Sequence, residues 1–128
     1  MSQEHPNVEL MKKLDIRNLA GCADLFAPDF IWHYINPNLS DIEGDYVGWA
    51  GLQSFFAKID AKTGDSFKVL PVSINAFGDE LVVTHVRNSM ILDGQPVAVD
   101  AIVVWRIVSG SIAEAWDIPS AHTLADSA

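Results

Sequence analysis

Positive charge is scarce in this chain. Eight Lys and Arg stand against 17 Asp and Glu, a net charge of −9, which excludes the basic stripe that a nucleic-acid surface requires. The same imbalance disfavours an anionic membrane surface and mainly favours solubility. Cysteine is almost absent: Cys22 stands alone, cannot close an internal disulfide, and points to a reducing compartment. No apolar run approaches the ~20 residues of a membrane-spanning helix. The opening MSQEHPNVEL has no apolar core behind a basic end, so no secretory leader is expected and the expected location is the cytoplasm. CxxC pairs, Gly-rich phosphate loops and nucleophile-elbow motifs are missing as well. His33, His85 and His122 fall on different segments with no i, i+4 pair, so no metal is expected.

What is present is a globular composition, 49% hydrophobic and 20% charged over 128 residues, enough for one domain spanning the chain. Pro6 to Phe26 carries helical spacing, read as two short helices or one kinked helix, with Asp15 a candidate cap, Gly21 a weak point and Pro28 the stop. Phe30 to Asn36 (FIWHYIN) is aromatic and β-branched, a strand with Trp32, Tyr34 and Asn36 on one face. Asn38 to Val47 reads as a polar loop whose acids, Asp41, Glu43 and Asp45, have no Lys or Arg among them. Gly48 to Lys62 carries Trp49, Leu52, Phe55, Phe56 and Ile59, a helical stripe stopped by Gly64.

From Ser66 the chain alternates. Ser66–Phe77, Glu80–Leu92, Pro96–Val108 and Ser111–Ile118 are four strands joined by short turns at Gly78-Asp79, Asp93-Gly94-Gln95 and Ser109-Gly110. Pro71 marks an edge strand or a bulge. In Pro96–Val108 the odd positions Val97, Val99, Ala101, Val103, Trp105 and Ile107 are all apolar. The even positions mix Asp100 and Arg106 with Ala98, Ile102, Val104 and Val108, so this strand belongs in the middle of a sheet with a layer on each side. The half-apolar outer face predicts a homodimer through it. Helices first and an antiparallel meander after give an α+β fold: a curved, mostly antiparallel sheet shaped as a cone, with N-terminal helices packed on its concave face. The open end of such a cone is a natural ligand pocket.

This order of elements, with DGQPVAVDAIVVWRI and the final IAEAWDI, resembles the nuclear-transport-factor-2-like (cystatin-like) superfamily, in its SnoaL-like and ketosteroid-isomerase-like branch, over nearly the whole chain. The resemblance implies a cofactor-free small-molecule site on the inner face. A steroid-isomerase set would need a carboxylate at Tyr34 or Asn36, a protonated Asp at Val103 and a Tyr near Leu10 or Met11; all three roles are vacant here. The limonene-epoxide-hydrolase pattern is matched by Tyr34-Ile35-Asn36 and by Asp117, but its central Arg and partner Asp would fall at Val86 and Asn88. The sheet carboxylate of SnoaL-type cyclases is similar to Asp117.

The expected site therefore has Asp117 and Tyr34 as catalytic residues. Asn36, Asn88, Trp32, Trp49, Phe56, Val86, Met90, Val103 and Trp105 are its ligand-binding residues, with the acidic loop helping to shape selectivity. In an apolar cavity Asp117 would have its ionised form disfavoured and its pKa raised toward that of a general base. Its alternative role is to cap a strand end or to hydrogen-bond Tyr34 or a Trp N–H as a structural partner. The resulting expectation is an isomerase-, cyclase- or dehydratase-type proton transfer on a small apolar carbonyl-bearing molecule. The alternatives are a non-catalytic binding or accessory module using the same pocket, and a scaffold acting through its dimer face.

Overall fold

His5 and Pro6 start the first helix. The His5 Nδ1 accepts from the Asn7 N–H at 3.1 Å, and Pro6 takes the first-turn position, where its missing N–H is not needed. This helix, α1 (Pro6–Met11), is tied to the sheet by the Asn7 amide, which donates to the Asp79 carbonyl at 3.0 Å. The structure is a computed structural model that describes residues 5–14 and 16–120, with side chains from 5–14 and 21–120; Asp15, His122 and the chain beyond Ser120 lie outside it. A 3₁₀ helix, Ile16–Leu25, replaces the second α-helix read from the sequence. Gly21 lies within it and lowers α-helical propensity there.

Strand β1 (Phe26–Tyr34) starts at Phe26, where the helical reading extended to that residue and the strand was expected from Phe30. Pro28 therefore sits inside a strand rather than ending a helix. The register against the neighbouring strand shifts between Phe26 and Ile31, and such a bulge tolerates a residue without an N–H. β1 also stops at Tyr34, and Asn36 caps a 3₁₀ turn, Pro37–Leu39. A second correction concerns the polar loop, which contains a strand, β2 (Gly44–Val47), antiparallel to β1 with Tyr46 opposite Trp32. Only Tyr46 of its four residues is buried, and four residues are too few to display an alternating pattern.

Helix α2 (Gly48–Thr63) buries Leu52, Phe55, Ile59 and Thr63 and ends at Gly64, as its stripe predicts. It lies so close to β2 that a Cβ on Gly51 would stand 2.9 Å from the Tyr46 carbonyl carbon. Then come β3 (Lys68–Phe77), β4 (Leu81–Leu92), β5 (Gln95–Val108) and β6 (Ser111–Pro119). Asp93-Gly94 and Ser109-Gly110 have positive φ at both positions, the conformation of a two-residue hairpin turn that follows strand twist.

The six strands form one curved, unclosed sheet in the order β2-β1-β6-β5-β4-β3. Only the β1–β6 pair is parallel. β5 is interior, and β3 is an edge strand with a register shift between Pro71 and Ser73, so Pro71 meets both of its expected conditions. The core fills the face bearing the helices: Trp32 packs on Phe55 at 5.4 Å and on Trp105 at 5.5 Å between ring centroids. On the opposite face Asp100 meets His85 at 3.0 Å and Arg87 at 3.6 Å, which removes it from the pocket as its register predicts. Among the described residues no helix is long and apolar enough to cross a membrane.

Candidate functional site

Four strands bring the site together by register. Tyr34 on β1 is the Cα partner of Asp117 on β6, Asp117 is the partner of Val103 on β5, and Val103 is the partner of Thr84 on β4. Side chains two residues apart share a face, so Trp32, Val86, Asn88 and Trp105 project to the same side.

Asp117 is the buried carboxylate of this face. It is 7% exposed, and its Oδ1 has no hydrogen-bond partner among the described residues. None of the structural roles read from the sequence, strand-end cap or partner of Tyr34 or a Trp N–H, is therefore filled at that oxygen. Burial alone raises its pKa to about 7, because taking a carboxylate out of water penalises its charged form.

Tyr34 is buried beside it. The Asn38 N–H donates to Asn36 Oδ1 at 3.0 Å, which turns the Asn36 amide so that its Nδ2 donates to Tyr34 Oη at 2.9 Å. With its oxygen already accepting, Tyr34 keeps its own hydroxyl proton to donate. Burial raises its pKa to about 12, with Asn36 opposing and the charge of Asp117 adding to the shift. It is a neutral donor across the physiological range.

Two cavities meet at these groups. The first, about 420 Å³, is lined by Met11, Leu14, Trp32, Phe56, Val86, Val103 and Trp105 among others. The second, about 370 Å³, is more polar and includes Tyr34, Asn36, Thr63, Met90 and Val99. Phe67, Asn88 and Asp117 line both. The residues expected to bind ligand thus divide between two chambers with Asp117 and Asn88 at the waist.

One expected ligand residue does not belong. Trp49 lines neither cavity; it packs on Phe26, 5.5 Å between ring centroids, because its place in the first turn of α2 points it toward the start of β1. The acidic loop lends Asn38 and Leu39 to the second cavity, whereas its acids Asp41, Glu43 and Asp45 line neither. Asp41 pairs with Lys62 at 2.9 Å, and Asp45 meets His33 Nδ1 at 2.7 Å. Phe67 lines both cavities but was not among the expected site residues: the reading placed it inside a strand from Ser66, whereas β3 starts at Lys68 and Phe67 lies in the connection before it. Its position just past the Gly64 helix stop is the one available clue.

His33 and His85 lie on the outer face, each already holding carboxylates: Asp45 and Glu114 for His33, Asp100 for His85. No cluster of three or more His, Cys, Asp or Glu side chains able to hold a metal forms among the described residues.

Residues 9–115 match the SnoaL-like domain. The chain belongs to that family. Its fold is shared by Bal32a from a soil-derived mobile gene cassette, at 19% identity and a TM-score of 0.79, covering 89% of this chain and 88% of that one. TerC, co-crystallised with polyporic acid, aligns at 21% identity and a TM-score of 0.76 over 90% of this chain and 92% of its own. A candidate SnoaL-like polyketide cyclase from Jannaschia sp. CCS1 aligns at 16% identity and 0.72, covering 94% and 91%. No curated protein matches the chain. This SnoaL-like domain thus has the fold of proteins described as cyclases and isomerases, and its own chemistry has to be argued from its side chains.

Proposed function

We propose that this SnoaL-like domain is a cofactor-independent enzyme that moves a proton on a small apolar, carbonyl-bearing molecule, with Asp117 as the base. The observation that carries the reading is a buried carboxylate with an unpartnered oxygen, held at a pKa of about 7, at the junction of two cavities. A base poised near the operating pH is present in its reactive form and still accepts a proton effectively. Asp117 takes the proton from the carbon beside the carbonyl, leaving an enolate and a neutral carboxyl group. The Tyr34 hydroxyl, supported by Asn36, donates to the enolate oxygen, and Asn88 helps to position it. Return of the proton to a second carbon completes an isomerisation. Attack of the enolate on another carbonyl closes a ring, and loss of a β-hydroxyl is a dehydration. The cyclase and isomerase descriptions of structural relatives fit this reaction class.

Nitrobenzisoxazole tests the base without knowledge of the natural substrate. Removal of its ring C–H proton breaks the N–O bond and releases a coloured cyano-nitrophenolate. The wild type should accelerate this, with a rate that rises as Asp117 ionises and levels above a pH of about 7. Asp117→Asn should lose ~100-fold or more, the range of general-base contributions. Unchanged turnover in Asp117→Asn would remove the catalytic reading and leave the pocket as a binding module.

We also propose that a second copy covers the outer sheet face. Ile102 and Ile118 are Cα partners there and both are exposed, as is Ile35 beyond the end of β1. Charges of both signs surround them, with Arg106 near Glu80 and Arg87 near Asp100.

A further inference from the structure

The two most buried tryptophans differ in one respect. Trp105 and Trp32 are 5% and 3% exposed, and their rings are in contact. The Trp105 N–H donates to Thr84 Oγ1 at 3.0 Å, whereas Trp32 Nε1 has no partner among the described residues. Folded proteins leave few buried donors unpaired, and an exception calls for a reason.

Trp32 Nε1 is one of three such atoms among the described residues. The others are Asn88 Oδ1 and Asp117 Oδ1, and all three residues line the larger, apolar cavity. Trp32 is the Cα partner of Ala115, two residues before Asp117 on the same face of β6. Three residues that each carry an unpaired polar atom, one a donor and two acceptors, therefore line a chamber whose other walls include Met11, Leu14 and Phe56. Residues packed only for stability would be expected to satisfy these groups from their neighbours, as Thr84 does for Trp105.

We propose that the indole N–H of Trp32 is a ligand-recognition donor: the molecule that fills the apolar cavity carries an acceptor oxygen on its buried, otherwise apolar end. This rests on the small-molecule reading above and sharpens it, because a plain hydrocarbon body would leave the N–H unpaired. The oxygen in question is distinct from one held by Tyr34, which lines the other cavity.

The test compares α-tetralone with tetralin, two fused bicyclic probes of nearly equal shape, only one of which bears a carbonyl. Wild type should bind α-tetralone about five- to tenfold more tightly, the range of one net hydrogen bond. Trp32→Phe should abolish that preference while tetralin affinity stays within about twofold. In ¹H–¹⁵N spectra of the wild type, the assigned Trp32 indole N–H should move downfield with α-tetralone and not with tetralin. The spectrum of the wild type decides the matter even if Trp32→Phe does not fold. Equal affinity for the two probes, no binding of either at millimolar concentration, a preference that survives Trp32→Phe, or an unmoved Trp32 resonance would each overturn the proposal. The outcome is separable from the base assignment. If Asp117 is not the base, nitrobenzisoxazole turnover fails while the α-tetralone preference stands, in the wild type and in Asp117→Asn alike.

Discussion

Tyr34 and Asp117 are Cα partners across the parallel β1–β6 pair, and both side chains are buried on the helix-bearing face. Just past them the Ile35 N–H donates to the Asp117 carbonyl at 3.0 Å, so the backbone of Asp117 is fixed while its Oδ1 remains unpaired. The fold thus holds a buried carboxylate by its backbone and leaves one of its oxygens without a protein partner among the described residues, an arrangement that costs stability.

That cost should be measurable. The pKa of Asp117 rises from 3.8 to about 7 on folding. Between those two values the native state holds a proton that the unfolded chain has released, so its contribution to stability falls as pH rises through this window and is flat above about 7. At about 1.4 kcal/mol per unit, the full effect is on the order of 4 kcal/mol, an upper bound. Asp117→Asn, nearly isosteric and uncharged, should therefore be more stable than wild type at pH 8, with the difference shrinking toward pH 4. Urea denaturation across that range measures it; equal stability at pH 8 would contradict the burial argument.

Removing the Tyr34 hydroxyl has two separable consequences. Tyr34→Phe leaves Asn36 Nδ2 without its 2.9 Å partner in a buried place, a loss of about 1–3 kcal/mol. It also removes the donor assigned to the substrate oxygen. Nitrobenzisoxazole turnover should fall about tenfold, the range of one net hydrogen bond and less than for Asp117→Asn, since one positioned donor is lost and the base is kept. A stability loss with turnover unchanged would make Tyr34 a structural partner only.

A second pH-dependent group lies on the outer face. Burial pulls the His33 pKa down, but hydrogen bonds and charges from Asp45 and Glu114 outweigh it, and the net shift is upward. The stability this confers is complete below the ordinary value of 6.5 and is lost as pH rises through the raised one. In an Asp117→Asn background, where the first effect is absent, His33→Gln should flatten the remaining decline in stability above neutrality. Denaturant midpoints against pH for the single and double variants provide the check.

Helix α2 approaches β2 too closely for a side chain at one point. A Cβ on Gly51 would lie 2.9 Å from the Tyr46 carbonyl carbon and 3.3 Å from its Cα, and backbone atoms cannot swing aside. Gly51→Ala gains about 1 kcal/mol of helix propensity yet should still destabilise, by about 1–3 kcal/mol, through overpacking. A more stable Gly51→Ala would mean that α2 lifts from β2 freely.

Much of this was legible in the chain because the sheet imposes a period of two. Once Asp117 and Tyr34 were placed, parity carried Val86, Asn88, Val103 and Trp105 to the inner face and Asp100 to the outer one, and the register agrees. Gly64 and the paired turn residues Asp93-Gly94 and Ser109-Gly110 marked their boundaries for reasons of backbone geometry. Parity says nothing about what lies beyond strands. Trp49 was misplaced because a helical stripe does not say which residue faces the cavity, and Phe67 escaped because the strand read from Ser66 begins only at Lys68. β2 was hidden by its brevity. The division into two cavities depends on how α2 and Phe67 sit over the sheet, which is a matter of packing and not of local pattern.

The interior position of β5 bears on the proposed dimer. Its neighbours on both sides leave Ile102 facing outward at 39% exposure, next to Ile118 at 43%. Trp116 lies alongside, stacked on His33 at 5.4 Å and approached by the Arg106 guanidinium at 5.6 Å. An apolar centre bounded by charges of both signs suits an isologous contact, in which each copy presents the same patch. Ile102→Arg would place a cation at the centre of that contact, facing its own symmetry mate. The variant should run as a monomer in sedimentation equilibrium at concentrations where the wild type is dimeric, and its two-copy contact should weaken by several kcal/mol, as for like charges brought together at an interface. Because Ile102 is exposed within one copy, Ile102→Arg should leave the fold of that copy intact and nitrobenzisoxazole turnover close to wild type. A wild type that sediments as a monomer, or an Ile102→Arg variant that remains dimeric, would remove this face from the assembly.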